Sequence, residues 1–204
     1  MEEMTVLFQG DSVTDCERDK ENPDDLGFGY AVMVASEFSA RNPKRNVKFI
    51  NRGVGGARIR DLRSWWQEHC IDLKPDLVSI LIGINDTWRR FDENSITTPE
   101  EYERDYRFLL TEIKTKLPDT KIVLMDPFFL PIGDKEGWRE DLNPRIEIVR
   151  SLAREFNATY IPLDGLFAAE YIKSYPEKYS KDGVHPNWTG HAFIADKFME
   201  YVEI

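Results

Sequence analysis

The chain has 204 residues, 41% apolar and 12% aromatic, which suffices for one sizeable core and is too apolar for a disordered segment. Its formal charge of −10 argues against the clustered Lys and Arg of a nucleic-acid phosphate track, so no nucleic-acid partner is expected. No apolar run reaches membrane-spanning length, and the acidic start Met1-Glu2-Glu3-Met4 is unlike a signal peptide, so no membrane partner is expected either.

The elements alternate along the chain, which favours a parallel sheet with helices on both faces. A first strand, MTVLFQ (4–9), runs into Gly10-Asp11-Ser12, and a polar stretch from Glu17 to Asp25 follows as a surface loop. Tyr30, Val34 and Phe38 recur every four residues and predict a helix over 28–40. A second strand, VKFIN (47–51), meets Arg52-Gly53-Val54-Gly55-Gly56, and Ile59, Leu62, Trp66 and Cys70 form the apolar stripe of a helix near 58–70. The third strand, DLVSILI (76–82), reads as buried on both faces and stops at Gly83-Ile84-Asn85-Asp86. A loop is expected over 88–97, then a helix opened by the capping box Thr98-Pro99-Glu100-Glu101 and running to about Lys116. Strand four is KIVLMD (121–126). A loop at 131–138, a helix over 141–156, a short strand at 159–163 and a helix near 164–174 follow. Asn187 is a plausible cap for a last helix from Trp188 to about Val202. No repeat or linker interrupts this, so one domain over 1–204 is expected.

Ligands of an open parallel sheet bind beyond the carboxyl ends of its strands, so the first three motifs should meet in one crevice. Ser12 is the candidate nucleophile, and a serine hydroxyl needs a general base within hydrogen-bond reach. Of three histidines, His69 and His191 read as packing or surface residues, whereas His185 has Asp182 three positions before it and Pro186 after it. The proline biases His185 away from helix and places both residues in a loop, where the carboxylate can turn back onto the imidazole. Gly56, Asn85 and the main-chain N–H of Ser12 are the candidate donors to an oxyanion. Each motif alone also reads as a tight turn or a helix cap; the combination carries the assignment. The chain lacks the G-x-S-x-G elbow of an α/β-hydrolase around Ser12 and the G-x-G-x-x-G of a dinucleotide site.

In order along the chain, Gly10-Asp11-Ser12, the glycines of the second motif, Gly83-x-Asn85-Asp86 and Asp182-x-x-His185 resemble the four blocks of the SGNH (GDSL-type) hydrolases. Val13 replaces the leucine that names that family, at a position that is not a reacting group. The resemblance implies a Ser12–His185–Asp182 triad and an oxyanion hole of Ser12, Gly56 and Asn85. Gly56 is preferred because it lies five residues after Asn51, the spacing associated with family members. Gly10-Asp11-Ser12-Val13-Thr14-Asp15-Cys16, Gly27-x-Gly29-Tyr30, Ile82 to Arg89 and Met125-Asp126-Pro127-Phe128 are further similar to the cytoplasmic acetylxylan esterase branch, which removes acetyl groups from short xylose oligomers.

The expectation is therefore a flavodoxin-like three-layer α/β/α sandwich with a five-stranded parallel sheet. It is expected to be a serine esterase for small acyl esters, with acetylated carbohydrates preferred and a thioesterase, lysophospholipase or broad acylhydrolase as the alternative. Asp11, Trp88 and Trp188 are the expected substrate contacts; Trp65, Trp66 and Trp138 read as packing. No metal or cofactor is expected. Cys16 and Cys70 lack metal-ligand spacing and read as free thiols in a reducing, cytoplasmic setting. Subunit number is left open, with a homo-oligomer among the options.

Overall fold

Five strands form one all-parallel sheet in the order β2-β1-β3-β4-β5: β1 (Met4–Gly10), β2 (Val47–Asn51), β3 (Leu77–Leu81), β4 (Lys121–Met125) and β5 (Thr159–Ile161). The computed structural model describes residues 3–204, so Met1 and Glu2 of the acidic start lie outside the described residues. The helices are α1 (Ser12–Asp15), α2 (Tyr30–Arg41), α3 (Ile59–His69), α4 (Ile84–Asp92), α5 (Pro99–Lys116), α6 (Trp138–Glu155), α7 (Leu163–Lys173) and α8 (Trp188–Tyr201).

Alternation along each strand sends side chains to two cores. Leu7, Val78, Ile80, Ile122 and Leu124 pack on one face against α3, α5 and α6, through Trp66, Leu109, Ile113 and Val149. Val6, Phe8, Leu77, Val123 and Ile161 pack on the other against α2, α7 and α8, through Val34, Phe167, Ile194 and Phe198. All five residues of β3 are buried, as the central strand of a three-layer α/β/α sandwich requires. The predicted stripes of α2 and α3 are buried, and Trp66 donates from Nε1 to Leu109 O at 3.2 Å.

Of three departures from the sequence reading, two share a cause. Helix α4 is absent from the sequence reading, which has a loop over 88–97; its first turn holds Asn85, Asp86 and Thr87. Those residues favour turns and caps in isolation. Here the helix is held by packing, with Phe91 stacked on Trp138 and the Trp88 ring tilted against it. The same aromatic anchor starts α6 at Trp138, three residues before the expected 141 and with Pro144 inside the helix. The one-turn α1, absent from the sequence reading, is held by Asp11, which accepts the Val13 N–H at 3.0 Å. Further along α6, the fully buried Arg145 donates to Thr97 O at 2.6 Å and Asp141 Oδ1 at 2.7 Å, tying α6 to the segment before α5.

The capping box forms as read: Thr98 Oγ1 accepts from Glu101 N at 3.2 Å, and Glu101 Oε2 accepts from Thr98 N at 2.9 Å. Thr98→Ala removes one half of it and should cost about 1 kcal/mol in denaturant unfolding with the slope unchanged.

Candidate active site

The sheet reverses its winding between β1 and β3, the switch point at which parallel sheets bind ligands. Ser12 follows β1 and Asn85 follows β3, so the two flank that point. Ser12 Oγ lies 3.0 Å from His185 Nε2, and His185 Nδ1 lies 2.7 Å from Asp182 Oδ2. An ionised carboxylate only accepts, so the proton sits on Nδ1 and Nε2 is left to accept from the serine hydroxyl.

The three-residue spacing of Asp182 and His185 works because the turn closes on the carboxylate. Asp182 Oδ1 accepts from Val184 N at 2.9 Å and His185 N at 2.8 Å, an Asx-type turn. Buried Ser180 braces it, with Oγ 2.7 Å from His185 O and accepting from Gly183 N at 2.9 Å. Partial burial opposes ionisation of Asp182, but the bonds from the His185 ring, His185 N and Val184 N outweigh it and hold its pKa down at about 2. The loop at 131–138 supports this turn from outside. Lys135 Nζ donates to Asp182 O at 2.6 Å and to Ile132 O at 2.7 Å, while Leu130 N donates to Gly183 O at 2.8 Å.

Among the glycines of the second motif, Gly53 N donates to Asn51 Oδ1 at 2.8 Å and Gly55 N to Asp15 Oδ2 at 2.9 Å. The N–H groups of Gly56 and Ser12 have no acceptor among the described residues. Asn85 spends one amide proton on Ala57 O at 3.1 Å, which leaves the other to donate and pins its side chain beside the glycine loop. Its neighbour Asp86 is fully buried and accepts from Ile59 N at 3.1 Å, joining α4 to the start of α3; burial pushes its carboxyl up to about 6.

The three expected substrate contacts separate. Asp11 is 1% exposed and faces inward as the cap of α1, not outward to a ligand; burial raises its carboxyl to about 7. Trp88 is packed, its ring 5.8 Å from the His185 ring and 5.5 Å from that of Trp138, so it walls one flank of the imidazole. Trp188 is 82% exposed and lines a cavity of about 670 Å³ together with His185.

Two groups outside the expected site residues also shape this region. Asn51 donates to Thr14 O at 2.6 Å and Leu26 O at 2.9 Å while holding Gly53. His191, read as packing, accepts from Tyr30 N at Nδ1 (3.2 Å), so its Nε2–H faces Cys16 Sγ at 3.4 Å. Burial, aided by the nearby His185, lowers its pKa to about 4, so His191 stays neutral. Cys16 and Cys70 are free thiols, as expected.

A parallel sheet carrying serine, histidine and carboxylate in hydrogen-bonded series beyond its strand ends is the architecture of an α/β/α serine hydrolase. The chain belongs to the GDSL-like lipase/acylhydrolase family, whose model matches residues 8–193, and is a carboxylic ester hydrolase. It is 33% identical over 205 residues to an acetylxylan esterase of Geobacillus stearothermophilus, covering 97% of this chain and 93% of that one. The crystal structure of an acetylxylan esterase from the same organism superposes with a TM-score of 0.89 at 32% identity, over 98% and 94% of the two chains. A structure described as a GDSL-like lipase, from Parabacteroides merdae, gives a TM-score of 0.93 at 35% identity, over 97% and 94%. Thioesterase 1/protease 1/lysophospholipase L1 of Escherichia coli is more distant, 26% identical over 180 residues, which are 85% of this chain and 77% of that one.

Asp11 gives a pH test of this geometry. Its folded pKa is raised to about 7, so the folded state holds its proton to higher pH than the unfolded chain does. The carboxyl therefore costs stability progressively as pH rises from about 4 to about 7, and the cost is constant above that. Asp11→Asn keeps an oxygen for Val13 N without the charge. It should melt several degrees above the parent at pH 8 and within error of it at pH 4.

Proposed function

We propose that the chain is a serine esterase that hydrolyses small acyl esters, acetyl above others, on carbohydrate alcohols. The observation that carries this reading is the Asp182–His185–Ser12 series at 2.7 and 3.0 Å. The unpartnered N–H groups of Ser12 and Gly56 supply the other requirement, donors for an oxyanion.

In this reading Ser12 Oγ bonds to the ester carbonyl carbon as its proton passes to His185 Nε2, and the carbonyl π pair moves onto oxygen. Asp182, ionised and fixed by its turn, stabilises the imidazolium that results. The N–H groups of Ser12 and Gly56 and the free amide proton of Asn85 receive the oxyanion, each worth about 3 kcal/mol in such a site. Collapse breaks the bond to the alcohol oxygen, which leaves with the proton from His185. Water then attacks the acyl-enzyme by the same route, releasing the acid and restoring Ser12.

Acetylated carbohydrate as substrate is supported by the similarity to an acetylxylan esterase at 33% identity over nearly the whole chain. The weaker similarity to a thioesterase/lysophospholipase favours a second reading, hydrolysis of longer acyl chains. A nitrophenyl ester series separates the two: the first expects a sharp preference for acetate, whereas activity rising with chain length favours the second.

A fluorophosphonate should label the protein, and Ser12→Ala should abolish labelling; an unlabelled parent would point to a carbohydrate binder without catalysis.

A further inference from the structure

Two large aromatic rings stand in solvent beside the candidate site, and neither contributes to the core. Phe28 is 67% exposed and Trp188 is 82% exposed, and among the described residues neither packs against another aromatic ring. They come from distant parts of the chain yet line the same cavity of about 670 Å³, which also includes the His185 side chain. A second cavity of about 410 Å³ reaches Ser12 and shares Cys16, Glu17, His185 and His191 with the first. The two share a wall, so one trough runs from the serine past the imidazole to both rings.

Both rings are held by rigid backbone. Phe28 sits between two glycines packed against the Cys16 turn. A Cβ on Gly27, whose φ is +74°, would lie 2.5 Å from Asp15 O, and one on Gly29 would lie 2.8 Å from Cys16 Cβ. Phe28 N also donates to Cys16 O at 2.9 Å. The backbone is pressed onto the active-site turn while the side chain is turned out of it. Trp188 is the first residue of α8, directly after the cap Asn187, which accepts from Thr189 N at 2.9 Å and Gly190 N at 3.1 Å. An exposed aromatic ring on an anchored backbone loses little freedom when a ligand stacks on it.

The side on which the trough lies decides what it takes. One flank of His185 is closed by Trp88 on Trp138, and neither of those rings lines the trough. The departing alcohol must lie within hydrogen-bond reach of Nε2 to collect its proton, so a trough running outward past that ring continues from the alcohol oxygen. Two flat apolar walls suit the C–H faces of a sugar ring, and charged Glu17 and Lys181 at the rim suit its hydroxyls.

We propose that Phe28 and Trp188 form the leaving-group subsite and clamp the pyranose ring from which the acyl group is removed. This rests on the reading of Ser12 as nucleophile and names the substrate part that the trough selects.

The test compares the parent with Phe28→Ala, Trp188→Ala and the double variant on ethyl acetate, cyclohexyl acetate, acetylated xylobiose and ethyl octanoate. Because both side chains project into solvent, the variants should fold, which far-UV circular dichroism checks. The kcat/KM for cyclohexyl acetate and acetylated xylobiose, each divided by that for ethyl acetate, should fall about tenfold in the double variant, mainly through KM. Unchanged ratios overturn the proposal. So does selective loss of ethyl octanoate hydrolysis, which would place the acyl chain in the trough. A parent that cleaves ethyl acetate but no acetylated sugar removes the carbohydrate reading, and the cyclohexyl-to-ethyl ratio still decides whether the two rings hold the leaving group.

Discussion

The loops at the carboxyl edge of the sheet are held in register by one buried amide, the side chain of Asn51. Its Nδ2 donates to Thr14 O in the turn after β1 and to Leu26 O in the segment before α2, while its Oδ1 accepts from Gly53 N in the loop after β2. Asn51 is fully buried, so no solvent substitutes for these bonds, and leaving any of the three groups unpaired would cost its full desolvation. Asp15 extends the lattice by taking Gly55 N, and Arg18 Nε does so by donating to Gly53 O. With Gly53 and Gly55 committed, Gly56 is the glycine whose N–H remains free to face a ligand.

Burial and hydrogen bonding sort the carboxylates of this region into different roles. Asp11 and Asp86 lie inside the fold with few donors, and burial pushes both pKa values up. Asp126, at the end of β4, is raised to about 6 for the same reason, although Tyr160 and Asp164 N donate to it. Asp182 is half in solvent and collects three N–H donors, so its charge persists well into acid. Negative charge is thus concentrated against the one imidazole that faces the serine, while the neighbouring His191 stays neutral in its dry pocket.

Much of this could be read from the chain because its signals are local. Strand ends followed by Gly-Asp-Ser, by clustered glycines and by Gly-x-Asn-Asp identify a crevice from sheet topology alone. The capping box at Thr98 is set by side chains within one turn. The choice of His185 over His69 and His191 followed from Asp182 and Pro186 nearby. Where the reading slipped over α4, distant contacts outweighed local preference. Residues from Trp88 on look like a loop, but the packing of Trp88 and Phe91 on Trp138, some fifty residues away, makes 84–92 the helix α4. Asp11 looks like a polar group offered to a substrate, and is instead the cap of a helix too short to announce itself.

The residues alone determined the five strands and six of the eight helices, the family resemblance and the short list of candidate groups, because periodicity, caps and turn chemistry are encoded over a few positions. Only the folded chain decided which N–H groups stay unpaired, that Trp88 walls the imidazole while Trp188 stays in solvent, and that Phe28 joins the same trough. Those outcomes depend on which polar atoms find partners and which rings find cover across large separations in the sequence. No local pattern carries that information.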